Sequence, residues 1–238
     1  SDWRRASGGL KIAAHEGAMI MMIVYGMTDS GNCYKPRLLL SLLGIPFRHV
    51  EVSTQDGGTR DPAFRQKNPN GKVPLLELED GRLLAESNAI LCYLADGTRF
   101  LPTDRYERAV AFQWMFFEQY SHEPYVAVRR SLLRYPLLAT DATPERLSAL
   151  LKEGNRALGV VEQRLSSSPY LAGEQPSVAD IVLYAYTHCA ADGGFDLGDF
   201  PATSRWLESI RVLFRSRRRW RFRPWRLSRD ISVAGAHS

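Results

Sequence analysis

From Met22 to about residue 213 the alternation of apolar and polar positions is regular enough to read element by element. "MIVYG" is a short apolar run closed by glycine, which predicts a buried strand. "CYKPRLLLSLLG" predicts a helix, with Pro36 in its first turn, where the missing N–H is harmless, and Gly44 at its end. "FRHVEV" alternates as a second strand does, and "DPAFRQKNPNG" predicts one helical turn followed by a loop. "KVPLLEL" and "GRLLAES" predict two short strands joined by a turn at Asp80 and Gly81. "ESNAILCYLADG" predicts a helix starting at Glu86 or Ser87. The order β-α-β-α-β-β-α ends near residue 97.

Beyond the linker "TRFLPTDRY" the spacing is helical throughout. Residues 104–134 predict a long apolar-aromatic helix kinked at Pro124. "TPERLSALLKEGNRALGVVEQRLSS" predicts a helix with Pro144 near its start. "SVADIVLYAYTHCAA" opens on Ser177 and Asp180, a variant of the capping box in which both side chains satisfy orphan N–H groups. "FPATSRWLESIRVLF" predicts a last amphipathic helix, and no internal repeat is evident. The pattern predicts a small α/β domain at residues 22–97 and an all-helical domain at residues 104–214. Residues 1–21 carry neither periodicity; they are read as a disordered leader or an artefact of expression, with Met19, Met21 and Met22 as candidate natural starts.

Composition adds limits. The 238 residues are 45% hydrophobic and 24% charged, as in an ordinary soluble globular protein. The net charge of +5 hides an asymmetry. Residues 211–238 hold nine arginines against the single acid Asp230, a local charge of +8, which leaves −3 for residues 1–210. A mildly acidic body argues against nucleic acid as a partner. Cys33, Cys92 and Cys189 are too few and too scattered for a disulfide framework, and no paired C-x-x-C or spaced histidines suggest a metal. A reducing, cytoplasmic setting is expected. "AMIMMIVYG" is too short to span a bilayer and lacks a cleavage site after it, so neither a membrane role nor a secretory signal is read from it.

Three features carry candidate chemistry. Ser30-Gly31-Asn32-Cys33 has the spacing of a C-x-x-C redox loop with serine in place of the first cysteine, set between a strand and a helix. Val73-Pro74 enters a strand, although proline cannot donate to a sheet ladder; an ordinary edge-strand proline is the plain alternative. Glu86-Ser87 opens a helix, where a hydroxyl at the N-terminus favours a bound carboxylate and a neighbouring acid an ammonium; a simple N-cap is the alternative.

Together, in this order, these features resemble the cytosolic glutathione transferase family over about residues 22–212. The resemblance implies a thioredoxin-like domain followed by an all-α domain, and glutathione as co-substrate. It implies a cis Val73–Pro74 bond, with the Val73 N–H and C=O offered to the cysteinyl part of glutathione in the manner of strand addition. Glu86 and Ser87 take the γ-glutamyl end, and Lys72 pairs with the glycine carboxylate. Aligned through "LLGIPF", Ser30 falls where theta- and zeta-class enzymes keep an active-site serine, and where omega-class relatives and glutaredoxins keep a reactive cysteine.

A hydroxyl donating to a thiolate contributes about 1.5–3 kcal/mol, and the adjoining helix N-terminus about 0.3–1 kcal/mol. Together they lower a thiol pKa by about two units from ~8.5, and the thiolate fraction at pH 7 rises from ~3% to ~75%. Cys33 is the second catalytic candidate, as a thiol in the first turn of that helix. The resemblance further implies an apolar electrophile pocket against the helical domain; Trp114, Phe117 and Tyr120 are candidate lining, with core packing as the plain alternative, and Arg129 is read as a solvated face or as steering an anion. A homodimer is expected. Two other readings stay open: a glutathione-dependent disulfide or peroxide reductase using Cys33, and a non-catalytic binding protein of the same fold.

The resemblance fails after Leu213. The arginine-rich stretch 215–238 admits binding to RNA or acidic membranes, a solvated tail without a partner, or an out-of-frame ending, the last being preferred.

Overall fold

The computed structural model describes residues 21–215. Strand β1 (Met22–Gly26) is paired on both edges, which is why its short apolar run carries no alternation. Strand β2 (Phe47–Glu51) lies parallel to it, with Met22 opposite Phe47, and helix α1 (Gly31–Leu43) is the crossover that a parallel pair requires. After the short helix α2 (Pro62–Lys67), β3 (Leu75–Glu77) runs antiparallel to β1 and β4 (Leu83–Ala85) antiparallel to β3. The sheet order is β2-β1-β3-β4, and helix α3 (Ser87–Ala95) packs beside α1. This is the thioredoxin-like arrangement.

Helix α1 corrects one expectation. Pro36 stands in its second turn, because the helix is nucleated earlier than proline alone suggests. The Ser30 side chain accepts from the Cys33 N–H at 3.3 Å and the Ser30 carbonyl from the Tyr34 N–H at 2.9 Å. Pro36 therefore removes the donor that the Asn32 carbonyl would otherwise receive. Gly44, at φ 71°, ends the helix by returning its N–H to the Leu40 and Ser41 carbonyls.

The second half is helical: α4 (Arg105–Phe117), α5 (Glu123–Arg134), α6 (Pro144–Leu165), α7 (Val178–Thr187) and α8 (Pro201–Arg215). The long helix expected over residues 104–134 is interrupted by a widened π turn, Glu118–His122, immediately before Pro124. Proline at 124 has no N–H, and the chain switches to an i→i+5 bond from the Glu123 N–H to the Glu118 carbonyl. The capping box at Ser177 and Asp180 forms in full. Asp180 is buried and also accepts from the Leu171 N–H at 3.0 Å and the Trp206 indole at 2.9 Å, tying together the starts of α7 and α8 and the loop before them.

One apolar core joins the two halves. Val24, Leu39, Leu76 and Ile90 from the sheet-bearing part pack in the same cluster as Trp114, Met115, Ile181 and Trp206 from the helices. Each fully buried aliphatic side chain contributes about 1.5–3 kcal/mol. Among the described residues no helix is long and apolar enough to cross a membrane. The expectations for a leader and for the arginine-rich tail lie outside the described residues.

Candidate active site

The loop between β1 and α1, residues 27–30, carries Ser30 to the N-terminus of α1. Extended backbone at Ser30 (φ −98°, ψ 127°) and its acceptance of the Cys33 N–H make it the N-cap. Gly31 follows because nothing larger fits: a Cβ there would stand 2.5 Å from the Tyr186 ring. Ser30 is half-buried and lines a cavity of about 200 Å³. Gly71, Lys72 and Val73 line the same cavity. The Val73–Pro74 bond is cis, and the main chain of Val73 makes no hydrogen bond to other described residues. The cavity thus brings together a hydroxyl at a helix N-terminus and a main-chain edge with unspent hydrogen-bonding groups. An extended peptide that carries a thiol side chain matches both.

The other predicted residues divide. Lys72 is exposed and reaches the cavity. Pro74 is buried behind Val73. Ser87 is buried, and its hydroxyl donates to Asn32 Oδ1 at 3.3 Å, which links the start of α3 to the first turn of α1. Glu86 is exposed and holds φ at 67°, the one positive φ at a non-glycine position among the described residues. Such backbone costs energy and concentrates at functional sites. Neither Glu86 nor Ser87 is among the residues lining the cavity. Cys33 is fully buried, and burial pushes its thiol pKa up despite the opposing hydrogen bond from Ser30 and the nearby Arg37 charge. It is a neutral thiol at pH 7.

The aromatic residues expected to receive the second substrate do not line this cavity. Trp114 is in the core, edge-on to Phe117 at 5.2 Å, while Tyr120 is 75% exposed. None of the three lines the cavity, whose helical wall is instead Arg130, Ser131, Tyr135 and Tyr186. Helical spacing cannot distinguish a stripe that faces the core from one that faces a ligand. Arg129 donates to the Leu147 carbonyl at 3.1 Å and lies over Phe195.

Sequence reasoning missed the polar cluster under the loop. Lys35 and Glu118 form an ion pair at 2.8 Å in which both side chains are 0% exposed. Lys35 also donates to Asn32 Oδ1 at 2.7 Å, and Tyr186 Oη accepts from the Asn32 N–H at 3.2 Å. The signal was a lysine inside an otherwise apolar helix and a glutamate inside an aromatic run. Nearby, His122 is fully buried with Nε2 3.1 Å from Thr187 Oγ1; burial first, then the Lys35 charge, hold its pKa at about 3. It is a hydrogen-bond partner and not a surface residue.

A thioredoxin-like sheet with a cavity at the start of α1, closed by a helical second half, defines a glutathione-binding class of protein. Comparison with known proteins agrees. Residues 29–96 match the glutathione S-transferase N-terminal domain and residues 116–212 the glutathione S-transferase C-terminal domain. The chain belongs to the glutathione S-transferase family. It is 51% identical to a glutathione S-transferase from Pseudomonas fluorescens whose crystal structure superposes with a TM-score of 0.78, covering 80% of this chain and 94% of the other. It is 31% identical to the disulfide-bond oxidoreductase YfcG of Escherichia coli, over 80% of this chain and 90% of the relative. A Phanerochaete chrysosporium glutathione transferase solved with oxidised glutathione is 25% identical, with a TM-score of 0.73 over 83% of this chain and 96% of that one.

Proposed function

We propose that the protein is a glutathione transferase in which Ser30 stabilises the thiolate of bound glutathione. The observation that carries this reading is the single cavity shared by Ser30, at the N-cap of α1, and the unspent main chain of Val73. Glutathione lies along Val73 with its glycine carboxylate toward Lys72 and its γ-glutamyl end toward Glu86 and Ser87. The Ser30 hydroxyl and the α1 N-terminus favour the thiolate, lowering its pKa by about two units. The sulfur then attacks an electrophilic carbon, forming the C–S bond as the leaving group departs or as a double bond takes the charge. Burial of Cys33 disfavours the reductase reading that depends on it, since a desolvated neutral thiol is a poor nucleophile.

The protein acts as a homodimer in the cytoplasm. Support for a dimer comes from large apolar side chains left in water on α3 and around the end of α4: Tyr93 at 47%, Phe116 at 65% and Tyr120 at 75% exposure. The test is a pair of substitutions assayed for conjugation and for disulfide reduction. Ser30→Ala lowers kcat/KM for conjugation by about 10- to 150-fold, from the loss of one charge-assisted hydrogen bond of about 1.5–3 kcal/mol. Cys33→Ala leaves conjugation within about threefold. The opposite pattern assigns the chemistry to Cys33, and failure of the unmodified protein to be retained on immobilised glutathione points to a non-catalytic member of the fold.

A further inference from the structure

The helical half holds the catalytic loop through Asp29, the residue immediately before Ser30. Asp29 Oδ2 accepts from the Tyr135 hydroxyl at 2.9 Å and from Arg134 Nε, and its Oδ1 from Arg130 Nη2 at 3.5 Å. The Tyr135 hydroxyl is also 3.1 Å from the Asp29 carbonyl oxygen, so it is in reach of both side chain and backbone. Arg130 is only 2% exposed on its side chain, and its Nε donates to Asp192 Oδ2 at 3.2 Å, which fixes the guanidinium from behind. These partners lie more than 100 residues from Asp29 in sequence.

The preceding residue is anchored separately. The Thr28 N–H and hydroxyl donate to Glu51 at 2.9 and 2.6 Å, and Arg37 donates to the Thr28 carbonyl at 2.8 Å. The loop is therefore held at Thr28 by its own sheet and at Asp29 by α5 and the residue after it. Ser30 follows directly, and Arg130 and Tyr135 line the same cavity as Ser30.

We propose that Asp29 and its donors Arg130, Arg134 and Tyr135 are positioning residues that set the Ser30 hydroxyl against the glutathione sulfur, so that thiolate formation depends on the helical half being docked. This rests on the reading of Ser30 as the partner of the thiol. The physical reason is the directionality of the hydrogen bond: it weakens steeply off axis, and a misplacement of about 1 Å costs up to about a hundredfold in rate. Ser30 is tied to α1 through its own hydroxyl and carbonyl, and the Asp29 anchor one residue earlier fixes where that turn stands against the helical half. The charge-assisted contacts from Arg134 and Tyr135 suit that task because they are short and oriented, and Arg130, at 3.5 Å, adds its charge from farther off. A purely structural clasp would stabilise the fold without touching the sulfur.

The two roles separate in a titration of the thiolate absorbance of glutathione bound to the full chain, in a cycle of Ser30→Ala, Asp29→Ala and the double variant. Positioning predicts that Asp29→Ala raises the bound thiol pKa by about one unit, a tenfold smaller thiolate fraction at a pH below both values. KM for glutathione changes less than about threefold while kcat falls. In the Ser30→Ala background Asp29→Ala adds no further shift, because the hydroxyl it positions is gone. Tyr135→Phe, which keeps the packing, gives a smaller shift of the same sign, and should Asp29→Ala fail to fold this variant carries the same cycle. An unchanged thiol pKa in a folded Asp29→Ala or Tyr135→Phe variant, or an equal shift with and without Ser30, overturns the proposal. Absence of any thiolate on the unmodified protein overturns the Ser30 reading itself, and this one with it.

Discussion

Replacing Lys35 by methionine tests the buried cluster that underlies the loop before α1. Lys35 Nζ is 2.8 Å from Glu118 Oε2 with both side chains 0% exposed, and the other carboxylate oxygen, Oε1, has no hydrogen-bond partner among the described residues. Glu118 thus depends on one cation for its compensation in the core. Removing one partner of a buried pair costs about 3–5 kcal/mol. For a chain of this size each kcal/mol lowers Tm by about 2–4 °C, so Lys35→Met lowers Tm by about 6–20 °C. Thermal or urea unfolding at pH 7 measures this directly. The double variant Lys35→Met, Glu118→Met removes both charges and recovers most of the loss, since apolar replacement of a buried pair is commonly neutral or stabilising. A cost under about 1 kcal/mol for the single variant, or a double variant less stable than the single, would refute the reasoning.

Two further outcomes follow from neighbouring groups. His122 titrates at about 3 when folded, against ~6.5 unfolded. The unfolded chain binds the extra proton between those values, so stability falls as pH drops from about 6.5 toward about 3. His122→Gln, which retains a donor toward Thr187, flattens that part of an acid unfolding curve. Gly31→Ala forces a methyl group to within 2.5 Å of the Tyr186 ring and displaces the α1 N-terminus. We expect a loss of about 1–3 kcal/mol in stability together with a raised pKa for the bound thiol, read by unfolding and by thiolate absorbance.

Much of the fold was legible because its determinants are local. The glycine at 44 has to end α1, since only a residue at ease with φ of 71° returns its N–H to two carbonyls there. Ser177 and Asp180 are three residues apart, and their capping box needs nothing from the rest of the chain. The β-α-β order follows from where alternation gives way to helical spacing. Ser30 and Val73 could be named because each stands at an element boundary that the local pattern marks.

The misses have a common cause. The chemistry of Pro36 alone predicts a first-turn position, whereas Ser30 starts the helix earlier. Trp114, Phe117 and Tyr120 form a helical stripe, but the π turn before Pro124 and the packing of α4 determine which of them meet the core and which meet water. The cavity wall comes from α5 and α7 instead.

By itself, then, the sequence determined the order of elements, their caps and the place of the Ser30 hydroxyl at the start of α1, all of which depend on steric and hydrogen-bonding preferences within a few residues. Only the tertiary structure decided that Lys35 is neutralised by a glutamate 83 positions away and that Asp29 is gripped by α5. A buried charge is tolerable only beside its counter-charge, and which distant residue supplies it is set by how the helical half packs on the sheet.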